Sequence, residues 1–133
     1  MRTDRATVAL PTEDRRRAHV FFTALGFETP GDLADDGVPE PLQVAVNDGL
    51  RVMLIPTGGF GWVTAGRTTA DRGTAECLIS LTADTPAEVD DLLSRVAAAG
   101  GEVASPPQQQ PWGYTGTFAD ADGHLWEVCV PPA

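Results

Sequence analysis

The sequence contains no lysine: all nine of its basic residues are arginine, so Schiff-base chemistry on a lysine amine is excluded. Positive charge is scarce as a whole, with 19 acidic residues against nine basic and a formal net charge of −10. Such a field repels nucleic-acid phosphates and anionic lipid, and it favours a cationic small molecule. Cysteine is limited to Cys77 and Cys129, far apart and without the C-x-x-C spacing of zinc or redox sites, which leaves two buried thiols as the expectation. No apolar run reaches the roughly 18 residues of a membrane span, and Asp4, Arg5 and Glu13 interrupt the N-terminus where a secretion signal needs its apolar centre. A soluble, cytoplasmic protein with neither nucleic acid nor membrane as partner is therefore expected.

What is present is enough for one globular domain. The chain has 133 residues, 42% hydrophobic and 21% charged, near the averages for folded proteins and enough to bury a conventional core. An internal repeat organises it. Leu25-Gly26-Phe27-Glu28 and Ala99-Gly100-Gly101-Glu102 each follow an amphipathic stretch, and each leads to an Asp-Gly pair, Asp48-Gly49 or Asp122-Gly123. A single displacement of 74 residues relates both pairs, which points to two copies of one supersecondary unit.

Each copy has the same parts. Thr7 to Pro11 reads as a strand, Asp14 as an N-cap, and Val20, Phe21 and Leu25 as the apolar stripe of a helix stopped by Gly26. Leu42 to Val46 and Leu50 to Ile55 form a hairpin through Asn47-Asp48-Gly49, whose residues favour positive φ. In the second copy Cys77 to Leu81 is the strand, and Thr85-Pro86-Ala87-Glu88 combines a capping box with proline at the first helical position. Val89, Leu92, Leu93 and Val96 supply that helix's buried face. Gly116 to Ala119 and Leu125 to Val130 then form a hairpin through Ala121-Asp122-Gly123. Each half is thus βαβββ, with one strand of the first half, within residues 29–40, weakened by prolines and acids as an edge strand is. Residues of about 5–57 make module one, about 58–73 a Gly- and Thr-rich linker or flap, and about 74–131 module two, within a single domain spanning 1–133.

The stretch from Leu10-Pro11 through Phe21-Phe22-Thr23-Ala24-Leu25-Gly26-Phe27, and the terminal Asp122-Gly123-His124-Leu125-Trp126-Glu127-Val128, resemble the vicinal oxygen chelate superfamily. That group contains glyoxalase I, extradiol dioxygenases, and fosfomycin- and bleomycin-resistance proteins. The resemblance implies an α+β fold of two βαβββ modules whose curled mixed sheets enclose a cavity, often completed in a homodimer. It also implies a divalent metal held on four inward strand positions in the catalytic members.

This chain departs from that metal pattern. Glu127 matches the family's last carboxylate ligand, but its repeat partner is Met53, and the two first-strand positions are Thr7 and Leu78. A thioether, a hydroxyl and an isobutyl group are poor substitutes for imidazole or carboxylate. Glu76, two residues before Leu78, is the one residue that strand alternation offers as a second carboxylate. His19, among packing phenylalanines, and His124, in a hairpin turn, read as non-ligands, and Arg15-Arg16-Arg17 as a solvated helix face. The favoured reading is a small-molecule binding protein of the glyoxalase and bleomycin-resistance type, without metal cofactor and with its cavity in a homodimer. Thr7, Met53, Phe60, Trp62, Leu78, Trp112, Tyr114 and Glu127 are its candidate lining residues. Trp126, alternating with Glu127, is expected on the opposite face. The alternative is an enzyme. It would be a lactoylglutathione-lyase-like or extradiol-dioxygenase-like protein with one Zn, Ni, Mn or Fe on Glu127, or a metal-free isomerase with Glu127 as general base.

Overall fold

A computed structural model describes residues 1–133 and divides into two compact units, Met1–Thr69 and Ala70–Ala133. In the first unit, strand β1 (Ala6–Thr12) leads to helix α1 (Arg15–Ala24), followed by β2 (Leu42–Ala45), β3 (Leu50–Pro56) and a short helix α2 (Thr57–Val63). The sheet has the order β1-β3-β2, with β3 parallel to β1 and antiparallel to β2. Asp14 caps α1 by accepting the Arg17 amide at 3.1 Å. Gly26, at φ +93°, reverses the chain so that the Phe27 amide donates to the Phe22 carbonyl, the left-handed helix stop that glycine permits without steric cost.

Ala18, Phe21, Phe22 and Leu25 are the buried residues of this helix and its cap, an i, i+3, i+4, i+7 set. Val20, expected in that stripe, is instead 60% exposed. The stripe is turned by a fraction of a helical turn because two adjacent phenylalanines bury more area than one valine and one phenylalanine would. Opposite them lie Val44, Val52, Leu42 and Leu54, all buried.

Three details of this unit differ from the sequence reading. The weak strand within residues 29–40 forms no ladder; only single bridges, Glu28 with Ala45 and Leu33 with Pro39, remain. Pro30, Pro39 and Pro41 have no amide to donate, and Gly31 and Gly37 turn the chain at positive φ. This loop is clasped instead by Arg15, which donates to Asp36 at 2.9 Å and to the carbonyls of Val38 and Pro39, so Arg15 is not part of a solvated face. Gly49 closes its hairpin without a positive φ. Its glycine is needed because a Cβ there would sit 2.9 Å from the Asp4 carbonyl oxygen. Finally, the expected linker begins with α2. Its three glycines and lack of a side-chain cap hide a helix from propensity arguments.

The second unit repeats the plan: β4 (Leu78–Thr82), helix α3 (Pro86–Ala99), β5 (Glu102–Gln110), β6 (Gly113–Ala119) and β7 (Leu125–Val130). Its sheet order is β4-β7-β6-β5, with only the β4–β7 pair parallel. The capping box of α3 is formed in both directions, with Pro86 behind it and Gly100 at φ +105° ending the helix. Val89, Leu93 and Val96 are buried, with Leu92 at the margin, and they meet Ile79, Phe118, Trp126 and Val128 from the sheet. Phe118 and Trp126 stack with centroids 6.2 Å apart. Gly116 gives α3 room, since a Cβ there would lie 3.1 Å from Leu93 Cγ. The edge strand β5 carries Pro106 and Pro107 within the register shift between Ser105 and Gln108, where proline is tolerated. Both sheets are open, with β1 and β2 as the edges of one and β4 and β5 of the other. Cys77 is exposed and Cys129 half-buried, not the pair of buried thiols that cysteine's usual preference suggests. No helix is long and apolar enough to cross a membrane.

Candidate functional site

Strand alternation in β7 decides what the second sheet offers. Trp126 and Val128 are buried toward α3, so Leu125, Glu127 and Cys129 project from the other face. Register then builds rows across that face. Glu127 stands opposite Ser80 of β4 and Thr117 of β6, and Thr117 opposite Ser105 of β5. Side chains directly opposite one another in neighbouring strands are close enough to interact. The Ser80 hydroxyl donates to Glu127 Oε1 at 2.8 Å. The row on one side is Leu78, Leu125 and Ala119; on the other it is Thr82, Cys129 and Thr115.

The turn before β7 fixes this alternation. Asp120 is 1% exposed. Its Oδ1 accepts the amides of Asp122 (2.9 Å) and His124 (3.0 Å), and its Oδ2 accepts the Trp126 indole N–H at 3.1 Å. Burial pushes the Asp120 carboxyl above the ordinary aspartate range, and the charge of His124 together with these hydrogen bonds opposes the rise. Gly123 follows at φ +88°, covered by Arg72, which donates to the Ala121 carbonyl at 3.0 Å. A slip of one residue at this turn would swap Glu127 with Trp126 between faces. The carboxylates of Asp120 and Asp122 and the His124 ring come within 4.8 Å of one another, but Asp120 is already committed to three donors.

The expected lining residues distribute as follows. In the first unit Thr7 and Met53 share the face turned away from α1, opposite Arg51 and Ala9 respectively, with Gln43 beside Met53. Phe60 and Trp62 lie on α2, Phe60 half-buried and Trp62 87% exposed, and Trp62 helps outline an open groove with Thr57, Gly58, Gly61, Ala65 and Gly66. In the second unit Leu78, 52% exposed, shares the face of Glu127. Trp112 is exposed in the β5–β6 turn. Tyr114 lies on the helix side, where its hydroxyl donates to Asp90 of α3 at 2.6 Å; that bond, burial and the carboxylate's charge push the phenol above its usual range. Trp126 is in the core, as alternation indicated.

Of the metal positions implied by the resemblance, Thr7 and Met53 of the first unit carry no carboxylate or imidazole, and of the two in the second unit only Glu127 does. Glu76 does not extend the set by strand alternation, because β4 begins at Leu78 and Glu76 precedes it on exposed chain. In neither unit do these positions supply the three or four nitrogen or oxygen ligands that a divalent cation needs. Sequence reasoning missed Asp120, Arg72, Ser80 and Thr117. Asp120 had a signal, an Asp two residues before Asp-Gly, which invites an Asx turn. Ser80 and Thr117 had none, since register across strands is not written in local sequence.

Two open sheets of like strand order, one of three strands and one of four, each packed against a helix, define an α+β protein built of two similar units. The family model described as Glyoxalase/Bleomycin resistance protein/Dioxygenase superfamily matches residues 5–128, and the chain belongs to that superfamily. Among solved structures it is similar to the hypothetical protein SA1046 of S. aureus, with 27% identity over 98% of this chain and 95% of that one and a TM-score of 0.81. A glyoxalase-related enzyme from Fulvimarina pelagi aligns at 23% identity over 98% and 89% of the two chains, with a TM-score of 0.81. TnmS3, an antibiotic binding protein from Streptomyces sp. CB03234, aligns at 24% identity over 96% and 95%, with a TM-score of 0.65. No protein of curated function matches the sequence.

Proposed function

We propose that this protein binds a small organic molecule, cationic or aromatic in character, in a homodimer cavity, with Glu127 as its anchor and without the superfamily's metal. One observation carries the reading. Glu127 stands on the open face of its sheet with Ser80 as its one protein donor, while the positions that would complete a metal site are Thr7, Met53 and Leu78. A carboxylate so placed attracts a cation or accepts a ligand's N–H. The net charge of −10 adds a long-range field of the same sign. Exposed Trp62 and Trp112 offer faces for a planar group. The fold similarity to an antibiotic binding protein is compatible with sequestration.

The test is calorimetric titration of the purified protein with metal-free bleomycin, a cationic ligand of the kind the superfamily's description names, alongside elemental analysis and measurement of oligomeric state. Binding that weakens about tenfold or more in Glu127→Gln, the loss of a charge-assisted contact, supports the proposal. Stoichiometric nickel, zinc, manganese or iron that is lost in the same variant would overturn it in favour of a metal-dependent lyase or dioxygenase.

A further inference from the structure

The row that carries Glu127 has a chemistry of its own. Ser80, Glu127, Thr117 and Ser105 lie side by side across four strands, so one carboxylate is set among three hydroxyls. Ser80 holds Oε1 at 2.8 Å. Oε2 accepts nothing from the protein, and the Thr117 hydroxyl makes no side-chain hydrogen bond. The aromatic rings of this unit are off the row: Phe118 and Trp126 are buried toward α3, Tyr114 is tied to Asp90, and Trp112 lies in the β5–β6 turn at the end of the strands. A quaternary ammonium ion is recognised by aromatic faces rather than by acceptors, and this row supplies none. A protonated amine instead brings several N–H donors, which need separate oxygen acceptors. The adjoining row of Leu78, Leu125 and Ala119 gives an apolar body attached to that amine a surface to cover.

We infer that Ser80 is the positioning residue of this site, and that the Ser80–Glu127–Thr117 row selects amphipathic ammonium ions bearing N–H donors over quaternary ones. The inference rests on the binding role given to Glu127. Ser80 fixes one carboxylate oxygen and so aims the other; the ligand's N–H groups go to Glu127 Oε2 and to Thr117 Oγ1.

The probes are naphthylmethylamine, its N,N,N-trimethyl analogue and neutral naphthylmethanol, titrated by two-dimensional NMR into the full chain and into Ser80→Ala, Ser80→Thr and Glu127→Gln. The expected result is that the amine binds about tenfold or more tightly than the trimethyl compound, the discrimination given by one or two charge-assisted hydrogen bonds. Ser80→Ala weakens the amine by about three- to tenfold and Ser80→Thr restores it, with the trimethyl compound and the unfolding midpoint unmoved. If the amine binds through Glu127 but Ser80→Ala is neutral, or the trimethyl compound binds equally well, the inference fails while the binding role of Glu127 stands. If Glu127→Gln changes nothing, or neither cation binds better than the alcohol, both fail together.

Discussion

Replacing Trp126 with phenylalanine isolates the bond that locks the β6–β7 turn. The ring stacked on Phe118 is retained in smaller form, while the indole donor to Asp120 Oδ2 is removed. Hydrogen bonds to buried charged groups contribute about 1.5–3 kcal/mol, and the loss of ring volume adds a cost that does not depend on pH. The two parts separate by titration. Asp120's folded-state carboxyl lies above its ordinary range, chiefly through burial, so the native state binds the proton more tightly than the unfolded chain does. That makes stability fullest below the unfolded-state range and lowers it as pH rises through the folded-state value. Without the indole donor, one of the influences lowering Asp120's pKa is gone, and the fall becomes steeper. Urea unfolding followed by far-UV circular dichroism, from about pH 4 to about pH 8, therefore shows a destabilisation that grows with pH by about 1.5–3 kcal/mol. A destabilisation of the same size at every pH would refute the claim that Asp120 depends on the indole.

Glycines of the β6 start and of α2 give opposite expectations. Gly113 sits at φ +143° with its absent Cβ 2.2 Å from the Val130 carbonyl oxygen, so Gly113→Ala forces the β6–β7 pairing apart and costs roughly 2–6 kcal/mol from backbone strain and overpacking together; a shift under about 0.5 kcal/mol in urea unfolding would contradict it. In α2, by contrast, Gly58 and Gly61 face open space at ordinary φ. Gly58→Ala with Gly61→Ala should stabilise that helix by about 0.5–1 kcal/mol per site, read as slower amide exchange at Thr64 and Gly66, whose amides donate to the Phe60 and Gly61 carbonyls. Unchanged or faster exchange would mean that α2 does not persist as a helix.

Much of the fold was legible because its signals are local. The capping box at Thr85 and the Asp14 cap mark helix starts within four residues of sequence, and Gly26 and Gly100 mark the ends. Strand alternation alone puts Trp126 and Glu127 on opposite faces. Other signals misled for physical reasons. Gly49 was read as a positive-φ residue, yet its role is to admit the Asp4 carbonyl, a contact across 45 positions. Arg15 looked like one of three solvated arginines and instead gathers the loop at residues 36–40. The helix α2 was invisible because its glycines disfavour the conformation that its packing after β3 imposes.

The sequence by itself determined the repeat, the bounds of α1 and α3 and the strand faces of β7, since each follows from residue type and short-range periodicity. Tertiary structure decided which strands neighbour one another and in what register, and so which side chains meet. That Glu127 finds Ser80 depends on β7 lying parallel beside β4, 47 residues earlier in the chain, and that Asp120 is buried under Trp126 depends on α3 covering the sheet. Such meetings are fixed by hydrophobic burial over the whole unit, which no short stretch of sequence encodes.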